Sequence, residues 1–321
     1  MRQSAPRSGV RSLRFRPSGR RISGSGGGLG PYRALVPVHR DTLIAAQYFA
    51  AVAGTAAMRR CLTRPSSVLD RLEDVRRVTA HLDEFPNDLE IPVIEYETGE
   101  GYAAWAPRYD GPNPAVDASR SAIADMLRAA PSGSALDAAC GTGSQAAQLV
   151  GLGFDVTGVD ASEAMLDVAR TNVPGATFHQ GMLQSLPLAD ASVDVVTCSL
   201  ALTHVPDLGP VLAEMARVLR PGGSVVLADI HPTTVSLGGA AVFPTGEEQF
   251  QLAFVRNLVH QVEEYVTAAV GAGLQVTECR EPRYPEEAIT GNPAYAVVPD
   301  AVRQAFDDLP FLLVWRLTKP A

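Results

Sequence analysis

The chain has 321 residues, 46% of them hydrophobic, and a length that suits one large α/β domain with additions. Its formal net charge is −8, but the first 60 residues hold 11 arginines and one acid, so the rest is strongly acidic and a poor partner for nucleic acid. Lysine occurs only at Lys319, which excludes a catalytic lysine elsewhere in the chain.

Residues 1–60 are predicted to form a disordered or weakly ordered basic extension. Met1–Gly30 is rich in Arg, Ser and Gly and has no acid. Thr42–Met58 is uncharged and mostly apolar, but it is short and too far from the start for a signal peptide. We interpret it as a marginal helix, or as an upstream extension with Met58 as the true start. Whether residues 1–57 belong to the native protein therefore stays open.

Residues 61–321 are predicted to form the main domain, with residues 61–130 as an N-terminal cap. Val68–Phe85 has apolar residues at three- and four-residue spacing, which predicts an amphipathic helix. These residues are Leu69, Leu72, Val75, Val78 and Leu82. Gly101–Pro114 follows and contains Tyr102, Trp105 and Tyr109, which either cover a bound ligand or anchor a surface helix. Ala115–Ala130 is predicted to be a helix.

The stretch Ala135–Asp160 reads ALDAACGTGSQAAQLVGLGFDVTGVD. It predicts a strand, a glycine turn, a helix and a second strand that ends in an acid. Such a unit binds nucleotides, because the glycines admit a ligand close to the backbone and the helix N-terminus offers free N–H groups. The pattern Gly141-x-Gly143-x-x-Ala146 also satisfies the dinucleotide fingerprint. However, Asp137 lies four residues before the turn, where it would repel a pyrophosphate.

Strands and helices continue to alternate after this unit. The predicted strands are Ala176–Gln180, Ser192–Ser199, Ser224–Asp229, Leu274–Cys279 and Phe311–Leu317, and the predicted helices begin after Ser162 and cover Val211–Leu219 and Gln261–Ala272. Residues 231–260 do not fit this alternation of strands and helices, and they contain short β-like runs at 240–243 and 251–259. An insertion here would lie over the C-terminal ends of the strands, so we interpret it as a substrate lid.

The phrases LDAACGTG and GVDAS closely resemble the first two motifs of class I S-adenosylmethionine-dependent methyltransferases. The resemblance continues through QGMLQSLPLADASVDVV and RVLRPGG and spans about Tyr102 to Trp315. It is nearest in kind to the small-molecule, type 11 methyltransferases. It implies an α/β fold with a Rossmann-like, seven-stranded, mostly parallel sheet, and S-adenosyl-L-methionine as the cofactor. The ammonium and sulfonium of that cofactor would tolerate Asp137.

The resemblance implies cofactor contacts in the motif turns, after the second and third strands, after the fourth strand and in the aromatic segment. The residues are Asp137, Ala139, Gly141, Gly143, Asp160, Ala161, Met165, Met182, Leu183, Ser199, Tyr102 and Trp105. Asp160 would accept both ribose hydroxyls. Met182 stands where the family usually has an acid that contacts the adenine amino group, so only apolar cover is expected for that ring.

The transfer is a displacement at the sulfonium methyl, and alignment of the reactants can contribute roughly 7–11 kcal/mol. A hydroxyl acceptor gains from a base. His204 and Asp229 follow the fourth and fifth strands, at places similar to the His and Asp of related natural-product O-methyltransferases. They are therefore the candidate base and its orienting acid, the alternative being that each caps a turn. His231 and His260 are weaker candidates in the lid.

The predicted function is methylation of a small-molecule acceptor, with O-methylation in secondary metabolism as its finer form. One alternative is an NAD(P)-dependent oxidoreductase, which the lack of a Tyr-x-x-x-Lys pair disfavours. The other is a non-catalytic nucleoside-binding protein. The Asn/Asp-Pro-Pro-Tyr motif of DNA and protein amino-methylases is missing after the fourth strand. We expect a cytoplasmic monomer or homodimer with no metal, no membrane partner and no nucleic-acid partner.

Overall fold

The computed structural model of the chain describes residues 39–80, 90–128, 132–245 and 251–321. The strands are β1 (His39–Ile44), β2 (Glu90–Tyr96), β3 (Ser134–Ala138), β4 (Asp155–Asp160), β5 (Thr177–Gln180), β6 (Val193–Ser199), β7 (Leu219–Ile230), β8 (Ala241–Thr245), β9 (Gln251–Val255), β10 (Gln275–Arg280) and β11 (Leu312–Thr318).

The helices are α1 (Ala45–Arg60), α2 (Pro65–Ala80), α3 (Thr98–Trp105), α4 (Pro114–Leu127), α5 (Ser144–Gly151), α6 (Glu163–Asn172), α7 (Leu208–Val218), α8 (Pro232–Ser236), α9 (Val262–Gly271), α10 (Glu286–Thr290) and α11 (Pro299–Phe306). A short 3-10 turn, Leu202–His204, follows β6. No helix in the described ranges is long and apolar enough to span a bilayer.

A seven-stranded sheet in the order β10-β11-β7-β6-β3-β4-β5 forms the centre of the fold. The strands from β7 to β5 run parallel, whereas β11 is antiparallel to both of its neighbours. This confirms the predicted Rossmann-like, mostly parallel sheet. From β3 the chain moves outward to β4 and β5, and it returns to the other side of β3 at β6. The ends of β3 and β6 therefore flank the switch point, where open α/β sheets bind ligands.

Helices cover both faces of this sheet because successive strand residues point in opposite directions. Leu136 and Val196 pack with Met215 of α7 on one face. The adjacent residues Ala135 and Val195 pack with Leu149 of α5 on the other face. Burial on both faces explains why these strands read as continuous apolar runs rather than alternating ones.

A second, four-stranded sheet in the order β1-β2-β9-β8 joins the cap to the insertion. The two β-like runs of the insertion are β8 and β9, which pair antiparallel. Strand β9 also pairs parallel with β2, so that Val93 lies opposite Leu252. The sequence did not indicate this pairing, because β2 and β9 are separated by most of the parallel sheet.

The structure differs from the expected weakly ordered extension between His39 and Arg60. Helix α1 buries Phe49 and Ala53 in a cluster that includes Val302 of α11. The guanidinium of Arg59 donates to backbone carbonyls at the end of α11. Small and apolar side chains on both helices permit this close packing, so α1 belongs with the main domain. Met1–Gly30 lies outside the described residues.

Helix α2 is also packed differently from the expected amphipathic stripe. Val78 is buried, but Leu69 and Leu72 are 71% and 44% exposed. The face that carries Arg71 and Val78 is turned inward instead. The three- and four-residue spacing was therefore correct about the helix and wrong about the first half of its buried face.

Candidate functional site

A cavity of about 420 Å³ lies at the C-terminal ends of β3, β4 and β6. Its position is the switch point of the sheet, and its size falls in the range of about 300–1,000 Å³ typical of small-molecule sites. Helix α3 forms its opposite wall through Thr98, Gly99 and Tyr102. The turn after β6 contributes His204, Val205 and neighbouring residues.

The predicted site residues divide into those that line this cavity and those that do not. The lining contains Tyr102, Ala139, Gly141, Asp160, Ala161, Met165, Met182, Leu183, Ser199 and His204. Four others lie outside the lining, namely Trp105, Asp137, Gly143 and Asp229. Ten predicted residues from separate segments of the chain thus line one cavity, whereas the other four pack around it.

Asp160 closes the glycine turn from the end of β4. Its Oδ2 accepts from the backbone N–H of Gly141 at 2.9 Å, and its Oδ1 accepts from the N–H of Ser162 at 2.8 Å. Burial raises the pKa of Asp160, and these N–H donors oppose the rise. The two carboxylate oxygens offer about four acceptor positions, and the backbone N–H groups of Gly141, Ser162 and Ala161 leave at least one of them for a ligand hydroxyl. The predicted ribose contact is therefore geometrically open.

The two turn glycines have different roles. A Cβ on Gly141 would approach the Tyr109 ring only to 4.0 Å, so its left-handed φ of 52° is what requires glycine. A Cβ on Gly143 would come within 3.0 Å of Cγ2 of Val173. Gly143 thus lets the turn pack against the end of α6, and its left-handed φ of 86° also requires glycine. Its contact with the cofactor stays a prediction.

Asp137 is buried beneath the turn rather than exposed to the cavity. Its Oδ1 accepts from the hydroxyl of Thr197 on β6 at 3.1 Å, whereas its Oδ2 has no hydrogen-bond partner in the described part of the chain. Burial raises the pKa of Asp137 to about 7, and the Thr197 hydroxyl opposes this. Asp137 does not line the cavity, and its expected place beside the methionine ammonium stays a prediction.

The backbone is strained at the two strand ends that flank the switch point. Ala139, after β3, has φ 58°, and Leu200, after β6, has φ 56°. Left-handed backbone costs a non-glycine residue roughly 1–2 kcal/mol, and such strain is concentrated at functional sites. Both residues line the cavity. Sequence reasoning had no signal for this strain, because neither residue type favours the conformation.

His204 is held by one hydrogen bond at each ring nitrogen. Nδ1 lies 3.2 Å from the backbone carbonyl of Arg256, and Nε2 lies 2.8 Å from the hydroxyl of Tyr102. A carbonyl can only accept, so Nδ1 carries the proton and Nε2 accepts from the tyrosine. Burial lowers the pKa of His204, and the Arg256 carbonyl partly opposes this. The imidazole is therefore neutral at pH 7 and in a single tautomer.

Asp229 does not orient His204, and the expected dyad is wrong. Its carboxylate accepts from the backbone N–H groups of Leu202 and Thr203 at 2.7 and 3.2 Å, and from its neighbour Ile230 at 2.9 Å. Asp229 is buried, which raises its pKa to about 6. The acid fixes the turn that carries His204, while the Arg256 carbonyl holds the ring.

The aromatic residues of Gly101–Pro114 pack against strand β8 of the insertion. The Trp105 ring stacks on Phe243 of β8 at 4.7 Å, and Tyr102 stacks on Trp105 at 5.9 Å. Tyr102 and Tyr109 line the cavity, whereas Trp105 packs behind them and does not line it. Burial raises the pKa of Tyr102 above its ordinary value and that of Tyr109 to about 12, so both hydroxyls keep their protons at pH 7.

The two weaker histidine candidates have structural partners. Nδ1 of His231 accepts from the N–H of Thr233 and caps α8, while its Nε2 lies 3.1 Å from Glu281. Nε2 of His260 lies 2.7 Å from the carbonyl of Val205. Sequence reasoning missed Arg256, whose guanidinium pairs with Glu95 at 2.7 and 3.0 Å while its carbonyl reaches His204.

The cavity is poor in charge. Among the described residues that line it, Asp160 is the acidic one, and there is no arginine or lysine. Within the described ranges no group of three or more His, Cys, Asp and Glu is arranged to hold a metal. A cationic sulfonium would thus meet no positive side chain on these walls.

Sequence comparison matches the central part of the chain to a family model. Residues 136–227 match the model of a family described as a methyltransferase domain. A demethylmenaquinone methyltransferase from Renibacterium salmoninarum is 38% identical over 134 residues, which are 40% of this chain and 56% of that protein. The chain thus spans about half the length of this curated relative.

Structural comparison shows the same fold. One match is a chain of the complex that a methyltransferase activator of Haloferax volcanii forms with its methyltransferase, at 22% identity and a TM-score of 0.51. It covers 68% of this chain and 98% of that one. Another match is the cyclase SpnF, at 17% identity and a TM-score of 0.51, covering 70% of this chain and 96% of that one. At these identities the likeness concerns the fold alone.

Proposed function

We propose that the protein transfers a methyl group from S-adenosyl-L-methionine to a small, uncharged acceptor, as the match of residues 136–227 to a methyltransferase domain supports. One observation carries the proposal: the carboxylate of Asp160 and the neutral imidazole of His204 line the same cavity. A ribose-binding group and a proton acceptor therefore face one enclosed space. The fold alone would not decide this, since one fold neighbour is named a cyclase.

The residues present fit the cofactor. Asp160 has at least one free acceptor position for a ribose hydroxyl, Gly141 leaves open space beside Tyr109, and Met165 and Leu183 offer apolar walls for a purine ring. S-adenosyl-L-methionine supplies an electrophilic methyl group when bound. The walls then align the acceptor with that methyl, which is the main source of rate acceleration, roughly 7–11 kcal/mol.

The lining supports an acceptor without negative charge. A buried carboxylate or phosphate costs several kcal/mol unless a cation or several donors compensate it. The described lining offers no arginine or lysine for this purpose. His204 then favours a hydroxyl, since its Nε2 can receive a proton that an amine or carbon acceptor need not transfer.

The finer identity of the acceptor is part of the proposal. O-methylation of a secondary metabolite is supported by His204 beside the cavity. Demethylmenaquinone, the compound for which the matched relatives are named, is a second candidate. The largely apolar lining, which contains no arginine or lysine among its described residues, is the observation that favours it.

Calorimetry and labelled-methyl transfer test this function together. We expect the full chain to bind S-adenosylhomocysteine but not NAD, and to transfer label from S-adenosylmethionine into a neutral product of a metabolite extract. Binding of NAD alone would indicate an oxidoreductase. Binding of S-adenosylhomocysteine with no labelled product would indicate a nucleoside-binding protein.

The acceptor class has its own test. Naphthol and naphthyl phosphate share one ring system and differ in charge, so they form a matched pair of inhibitors of label transfer. Naphthol should inhibit at lower concentration. Equal or stronger inhibition by naphthyl phosphate would contradict an uncharged acceptor.

A further inference from the structure

The acceptor nitrogen of His204 is already occupied by a protein group. The Tyr102 hydroxyl lies 2.8 Å from Nε2, and both residues line the cavity. An incoming hydroxyl must therefore either displace Tyr102 or bond to it. The tyrosine oxygen donates its one hydrogen to Nε2 and keeps lone pairs that a second hydroxyl can use.

Packing holds Tyr102 in this place. Its ring meets the His204 ring edge-on at 5.3 Å and stacks on Trp105 at 5.9 Å. Trp105 is in turn buried and stacked on Phe243. Displacement of the hydroxyl would require movement of this whole stack, whereas bonding to its free lone pairs requires none.

We propose that Tyr102 is a catalytic residue that contacts the acceptor hydroxyl and passes its proton to His204. The inference rests on the proposed methyl transfer to a hydroxyl. In the balanced step, the acceptor oxygen forms a bond to the methyl carbon, and the C–S bond breaks with its electron pair left on sulfur. The acceptor proton moves to the Tyr102 oxygen as the tyrosine proton moves to Nε2. Tyr102 ends neutral, and His204 ends as imidazolium.

The surroundings of Tyr102 explain why it conducts the proton rather than keeping a negative charge. Burial is the main cause that raises the pKa of Tyr102, and the nearby acids Asp229 and Asp160 add to it. A phenolate is therefore disfavoured. The imidazolium is favoured by comparison, because the Arg256 carbonyl accepts its Nδ1–H.

The substitution Tyr102→Phe removes the relay oxygen and keeps the stacked ring. We expect the initial rate of label transfer into the wild-type product to fall roughly 10²–10⁴-fold, the usual worth of acid–base catalysis, with binding of S-adenosylhomocysteine unchanged. The matched control is Tyr96→Phe, which removes a hydroxyl from a tyrosine packed on the same aromatic cluster outside the cavity lining. An unchanged rate in Tyr102→Phe would show that Tyr102 only lines the cavity. A faster rate would show that its hydroxyl only blocks His204.

Two further measurements separate the relay from general damage. The variants Tyr102→Phe and His204→Ala should not be additive, because either one interrupts the same proton path. Losses that multiply would overturn the relay. Nitrogen NMR of labelled histidine in the ligand-free protein should show His204 protonated at Nδ1, with an Nε2 signal that shifts in Tyr102→Phe. An unshifted signal would refute the Tyr102–His204 bond itself, and this readout stands even if the proposed methyl transfer fails.

Discussion

Replacement of Asp160 by alanine tests the cofactor end of the cavity. The carboxylate would lose its contacts to ligand hydroxyls, and hydrogen bonds to a charged group contribute about 1.5–3 kcal/mol. Since about 1.4 kcal/mol corresponds to a tenfold change in affinity, S-adenosylhomocysteine should bind roughly 10- to 150-fold more weakly. The same change also releases the N–H groups of Gly141 and Ser162. A modest loss of stability, about 1–3 kcal/mol, should accompany it.

Isothermal titration calorimetry with S-adenosylhomocysteine measures the affinity, and thermal unfolding of the free protein measures the stability. Asp155→Ala is the matched control, because Asp155 is exposed at the opposite end of the same strand. Its affinity should equal that of the wild type. If Asp160→Ala binds S-adenosylhomocysteine as tightly as the wild type does, Asp160 serves only to hold the turn, and the ribose assignment is refuted.

Three other substitutions test the scaffold around the cavity. Burial raises the pKa of Asp137 to about 7, so between about pH 4 and pH 7 the folded protein holds a proton that the unfolded chain releases. The free energy of unfolding should therefore fall as pH rises through this window, by up to about 1.4 kcal/mol per pH unit. Asp137→Asn should flatten this part of the plot of unfolding free energy against pH. An unchanged slope would contradict the burial argument. Phe49→Ala should lower the free energy of unfolding in denaturant by about 3–5 kcal/mol. The control Leu62→Ala, at a residue that is 90% exposed, should lower it by almost nothing. Equal effects would show that α1 is not packed on the domain. Glu95→Gln should loosen Arg256 and slow methyl transfer less than about tenfold, because the arginine is largely exposed. The affinity for S-adenosylhomocysteine should not change. Weakened S-adenosylhomocysteine binding would place the Glu95–Arg256 pair in the cofactor site instead.

The strands of the parallel sheet were predictable because each strand carries its own signal. Apolar runs such as 193–199 are bounded by turns and helices, and the glycine turn at Gly141 fixes where the first crossover begins. Asp160 was predictable for the same reason: the end of a strand after a glycine turn has a defined place in this topology. These features depend on residues close together in the sequence.

The errors concern contacts between distant segments. Asp229 was paired with His204 because both follow neighbouring strands, but three backbone N–H groups use its oxygens. The backbone carbonyl of Arg256 contacts the His204 ring where the carboxylate of Asp229 was expected. Every residue has a backbone carbonyl, so the sequence does not indicate which one makes this contact. Trp105 was assigned to the ligand because aromatic residues suit both a ligand wall and a core. Only the position of Phe243 decides between these roles.

The mixed second sheet limits how the 231–260 insertion of this protein could be exchanged with that of a relative. Strand β2 comes from the chain before the catalytic core and β9 from the chain after most of it, yet each is the other's hydrogen-bonding neighbour. A chimera that received a foreign 231–260 segment alone would leave β2 with an unmatched edge, and exposed edges promote aggregation. Recombination should therefore transfer both segments together, as one inherited unit, even though residues 97–230 separate them in the sequence.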